Sequence, residues 1–183
     1  PHARFMTRAR DNAVLALQVG RPLRAESRVL RRCRLELPVV VEVPPVLDSG
    51  EPFPTRYWLT CPLAHRRIAR IEARGGVREA QAKLDADPEL AARLREAHTR
   101  YAAERDAHLP DGALHRPSGG VGGSSGGVKC LHAHYADYAA GNDNPVGADV
   151  ASEVGELDCD VPCVDFVDRR PRRNPDWREP DAG

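Results

Sequence analysis

Cys130, His132 and His134 end a run of glycine and serine, GGVGGSSGGVKCLHAH over residues 119–134, and this stretch offers three kinds of chemistry. The first is anion binding. A glycine-rich loop entering a helix presents unpaired N–H groups at the positive end of the helix dipole. Gly122 and Gly127 stand at the separation of a nucleotide-binding P-loop. Val128 then intervenes before Lys129, and Cys130 replaces the hydroxyl residue that would hold magnesium. No nucleotide cofactor is therefore expected. A looser site for a small anionic or phosphorylated ligand remains, built from Ser124, Ser125, Gly126, Gly127 and Lys129.

The second chemistry is metal binding, because Cys and His are the usual ligands of zinc. If residues 129–140 are helical throughout, Cys130 and His134 lie four apart on one face and His132 turns away. If the helix begins only after His132, Cys130 and His132 face inward together. Cys33 and Cys61 complete either arrangement from a distance, for zinc first and iron second. Cys159 and Cys163 in CDVPC are a weaker pair. The competing reading is that these thiols simply pack the core, as free cysteines often do. The third chemistry is nucleophilic. A cysteine placed at a helix N-terminus beside a lysine, as Cys130 is expected to be, is suited to nucleophilic work, with His132, His134 or His98 as a base and the glycine N–H groups as an oxyanion hole.

One more constellation lies upstream. His98, Tyr101 and Arg105 share a helical face and could line a pocket for an anion, with Arg105 its natural partner. The alternative is that Tyr101 packs, His98 satisfies a carbonyl and Arg105 lies at the surface.

The elements that must position these residues follow from patterning. RDNAVLALQVGR reads as a short helix closed by Gly20. Residues 24–61 read as two or three antiparallel strands, because SRVLRRCRLE, PVVVEV and RYWLTC are β-rich and DSGEPFPT is a turn. A helix follows with Thr60 as N-cap, Pro62 in its first turn and Gly75–Gly76 as its stop. DPELAARLREAHTRYAAERDAH opens on Asp87 and Pro88 and carries Leu90, Leu94, Ala97 and Tyr101 at helical period. Residues 109–127 read as loop, 129–140 as helix, NDNP as a turn, and GADVASEVGEL as one or two further helical turns. The expected fold is α+β: a small antiparallel sheet at about residues 24–61 packed with a cluster of helices. Residues 1–157 form the globular domain, and residues 158–183 read as a polar, disordered tail.

Composition narrows the partners. There are 27 basic and 27 acidic residues, so net charge gives no reason to expect nucleic acid. No apolar run is long enough for a membrane span. Five cysteines without an export signal read as reduced thiols or ligands in the cytoplasm.

FPTRYWLTCP, GGVKCLH and NPVG, in that order and with AHTRYAAER between them, resemble the bacterial family known as domain of unknown function 501. The opening LQVGRP and RRC fit its start, so the resemblance spans roughly residues 10–150. It implies no activity. It implies a context in which actinobacterial genes of this kind often neighbour a septum-formation initiator and an exopolyphosphatase. An accessory protein with a protein partner in division or polyphosphate metabolism is thus a further reading. Cys33, Cys61, Cys130, His132, His98, Tyr101 and Arg105 match the family pattern, whereas His65 and His134 belong to this chain. Some relatives carry a second cysteine shortly after the position of Cys33, where this chain has Glu36 and Pro38. That argues against a zinc ribbon in the strands.

Overall fold

Pro38–Val41 contains no polar side chain, so a strand made from it must be covered on both faces. In the computed structural model, which describes residues 2–180 with side chains from residue 9 onward, it is the central strand. β2 (Pro38–Glu42) lies between β1 (Arg28–Arg32) and β3 (Tyr57–Leu59), both antiparallel to it. Val40 pairs with Leu59 and Val41 with Trp58, and β1 shifts register twice as it runs along β2. Val39 and Val40 join the main core, while Val41 and Val43 pack with Leu15 of α1 (His2–Val19).

α2 (Pro62–Ala73) turns Leu63, Ala64, Ile68 and Ile71 into the main core. Its N-cap is Cys61, one residue later than the expected Thr60. The pair Gly75–Gly76 does not end the helical region. Gly75 takes a left-handed conformation (φ 104°), and a further helix, α3 (Gly76–Ala86), starts at once. α4 (Pro88–Asp106) begins where expected, with Asp87 accepting from the N–H groups of Glu89 and Leu90.

The glycine loop contains one 3₁₀ turn, Val121–Gly123, and leads to α5 (Leu131–Ala139). NDNP is a helix start as well as a turn, because Asn144 caps α6 (Pro145–Val154) by accepting from Gly147 N. α5 and α6 pack closely enough that a Cβ on Gly147 would stand 2.3 Å from the carbonyl oxygen of His134.

The segment expected to be a loose tail instead carries a hairpin, β4 (Val164–Val167) and β5 (Arg170–Arg173). Its turn residues Asp168 and Arg169 both have positive φ, the conformation a two-residue hairpin needs but which glycine or asparagine usually supplies. The hairpin packs on α1, where Arg173 Nε donates to Leu17 O at 3.1 Å. Helices thus accompany two small antiparallel sheets, and the class is α+β. Among the described residues no helix is long and apolar enough to cross a membrane.

Candidate metal centre

α5 starts at Leu131, between the two expected boundaries, so His132 is helical while Cys130 is not. Cys130 is an extended N-cap (φ −154°, ψ 122°), so the helical i, i+4 relation to His134 does not apply to it. Its sulfur meets His132 instead. Glu72, in the last turn of α2, reaches across to the same point. Glu72 Oε1 accepts from Leu131 N at 2.6 Å, and Oε2 lies 3.2 Å from His132 Nδ1. One ligand atom each from Glu72, Cys130 and His132 all lie within 4.8 Å of one another, and all three residues are half-buried. Among the described residues no other trio of His, Cys, Asp or Glu converges this closely.

The far side of the His132 ring fixes its role. Nε2 is 3.1 Å from the His65 carbonyl oxygen, which can only accept, so Nε2 carries a proton and donates. Nδ1 is left facing the carboxylate and the thiol. Burial pulls the His132 pKa down, but the hydrogen bond with Cys130, the charge of Glu72 and the His65 carbonyl together hold it above its ordinary value. The His65 ring lies 4.3 Å from that of His132, and burial and the charge of His132 push its pKa down.

A metal ion at this point would replace the Nδ1 proton, while the Nε2–H bond to a carbonyl orients the ring as is usual for ligating histidines. Sulfur, nitrogen and oxygen donors together suit zinc.

The family model described as a protein of unknown function (DUF501) matches residues 29–152. The chain belongs to the DUF501 family. The match includes Glu72, Cys130 and His132 and leaves out α1 and the β4–β5 hairpin. No curated protein and no solved structure matches the chain.

The other cysteines of this DUF501 chain gather around the start of β2. Cys33 N donates to Leu37 O at 2.9 Å, and Cys61 N to Val39 O at 3.4 Å. Gln18 Nε2 contacts both Pro38 O, at 3.0 Å, and Cys163 Sγ, at 3.6 Å. The Arg34 guanidinium holds the Cys159 carbonyl at 2.8 Å. All are free thiols, and burial pushes the Cys61 thiol up to about 12. The structure does not bring Cys33 and Cys61 to Cys130, because both are tied to the sheet. Nor do three of these four sulfurs converge within 4.8 Å.

His134 is also outside the centre. It is fully buried, contacts the Asn144 side-chain amide, and is pushed down to about 4 by burial, which makes it a neutral core imidazole near pH 7.

The anion site expected in the DUF501 glycine loop is filled by the protein itself. The carboxylate of Glu72 takes the first N–H of α5, and Gln81 Oε1 accepts from Val128 N at 3.0 Å. Ser124 Oγ turns back to the carbonyls of Gly126 and Gly127, while Ser125, Gly126 and Lys129 remain exposed.

On the α4 stripe, His98 and Arg105 hold this loop, while Tyr101 holds the backbone at the start of β3. His98 Nδ1 accepts from Val121 N at 3.0 Å and Nε2 donates to Gly127 O at 3.1 Å. Arg105, buried, donates to Gly119 O at 2.6 Å. Tyr101 Oη accepts from Arg56 N at 2.6 Å, and burial pushes its pKa up to about 12.

Proposed function

We propose that this DUF501 protein is a small metal-binding protein whose ion, zinc first and iron second, is held by Glu72, Cys130 and His132. The observation that carries the reading is the convergence of one sulfur, one nitrogen and one oxygen ligand atom within 4.8 Å, with the far His132 nitrogen already donating to a carbonyl. Three protein ligands leave a fourth position of a tetrahedral ion for water or a ligand, which is the pattern of reactive rather than purely structural zinc. Zinc supplies Lewis acidity and lowers the pKa of bound water when so placed. The free thiols suit a reducing cytoplasm.

Elemental analysis of the purified full chain tests the reading. One equivalent of metal is expected, with loss in Cys130→Ser and in Glu72→Ala and retention in Cys33→Ser. Absence of stoichiometric metal, or full retention in Cys130→Ser, refutes it.

A second reading rests on the same histidine. With Nε2 donating to the His65 carbonyl and Nδ1 facing Glu72, His132 is placed to be an imidazolium beside Cys130, the partnership that stabilises a reactive thiolate. Alkylation of chelator-treated protein distinguishes the two. A Cys130 rate that stays high below pH 7 and falls in His132→Gln supports thiol chemistry. An ordinary thiol profile removes it.

A further inference from the structure

A cleft of about 350 Å³ lies between the end of α1, strand β3 and the start of α2. Arg21, Trp58, Thr60, His65 and Arg66 are among its walls, and no wall residue is acidic. Both arginines are braced on indoles. The Arg21 guanidinium sits 4.9 Å from the Trp58 ring centroid, and that of Arg66 sits 4.7 Å from Trp177. A guanidinium lying on an aromatic ring keeps its N–H edge free, and that edge is the part that forks onto an oxyanion. Among the described residues neither guanidinium makes a hydrogen bond or close ion pair, although the Glu179 carboxylate, held by Arg70, also feels the charge of Arg66 and leaves Arg21 the less compensated of the two.

The cleft adjoins the candidate centre through one residue. His65 lines the cleft, its ring rests 4.3 Å from that of His132, and its carbonyl accepts a hydrogen bond from His132 Nε2. We propose that this cleft binds a small oxyanion of the phosphate class between Arg21 and Arg66, beside the Glu72–Cys130–His132 centre. Only the nearness of that anion to a metal rests on the function proposed above, since the cleft's own charge does not depend on it. The ligand must be small, because the volume suits one or two phosphoryl groups rather than a nucleotide or a polymer segment.

The test is calorimetric titration of the zinc-supplemented full chain with inorganic phosphate and with pyrophosphate, alongside Arg21→Gln and Arg66→Gln. Binding is expected in the wild type. Each glutamine variant should weaken it by about tenfold, since each removes a charge-assisted pair. Arg66→Lys, which keeps the charge and much of the stem, should lose less. Zinc content and circular dichroism should be unchanged in all of them, because none of these residues ligates the metal.

No binding of either anion to folded wild-type protein at about millimolar concentration overturns the proposal, as does undiminished binding in the double variant. Arginine-dependent binding in a protein that takes up no zinc supports the cleft and refutes the metal centre, so the two failures are separable.

Discussion

Glu72→Gln should destabilise the chelated protein in a pH-dependent way. Glu72 accepts from Leu131 N at 2.6 Å and faces His132 Nδ1 at 3.2 Å, with side-chain exposures of 27% for Glu72 and 18% for His132. Glutamine keeps the shape and an oxygen for Leu131 but removes the charge. The lost terms are a carboxylate at a helix N-terminus, about 0.5 kcal/mol, and a partly screened ion pair of similar size, about 1 kcal/mol in total. For a chain of this length that lowers the melting temperature by ~3 °C.

The sign of the pH effect follows from His132, whose folded pKa is raised. Its contribution is fully present below the unfolded pKa and is lost as pH rises through the folded value. The variant's deficit should therefore be largest at about pH 6 and shrink to roughly the helix-terminus term by about pH 9. Urea unfolding of both proteins with chelator at the two pH values measures this directly. A deficit as large at the alkaline value as at the acid one would refute the assignment of Glu72 as the partner of His132.

Other perturbations read other parts of the fold. In chelated native protein an alkylating reagent should modify Cys130 well before Cys61, whose thiol is buried and pushed up to about 12, as mass spectrometry of timed digests would show. Gly147→Ala should cost about 1–3 kcal/mol in a thermal melt, because the new methyl would meet the His134 carbonyl, and an unchanged melt would mean α5 and α6 are not packed this closely. Arg56→Ala should cost about 3 kcal/mol by denaturant titration, since Arg56 is buried, pairs with Glu42 at 2.6 Å and donates to Glu104 O at 2.9 Å.

The sheet, α2 and α4 were legible because their signals are local. PVVV demands two-sided burial, and Asp87–Pro88 is a cap followed by a fixed first turn. α3 was not, because Gly75–Gly76 carries a stop signal and the chain uses the pair to turn from one helix directly into the next. The hairpin was hidden because Asp168 and Arg169 make its turn without glycine.

At the centre, Cys130 with His132 is one of the two pairings the sequence offers, but neither boundary that went with them holds, because α5 starts at Leu131 with His132 already helical and Cys130 outside. Glu72 had no signal at all. It lies in an ordinary basic-acidic helix far along the chain from Cys130, and only the packing of α2 against the start of α5 makes it a partner. The His98, Tyr101 and Arg105 face was visible as a stripe, but a stripe does not reveal whether its polar tips meet a ligand or, as here, backbone groups of two separate segments.

The boundary of the family match has a practical meaning for the sheet. Residues 29–152 omit α1 and the hairpin, yet Leu15 packs with Val41, Val43 and Leu47, and Val14 packs with Leu37 and Val164. Each such side chain gains about 1.5–3 kcal/mol from being out of water. A fragment trimmed to residues 29–152 would keep Leu47, Phe53 and Trp58 on this face but lose Leu15 and Ala25, uncovering part of an apolar surface of the kind on which proteins self-associate. The residues matched by the family model thus leave out side chains that the core of this chain uses.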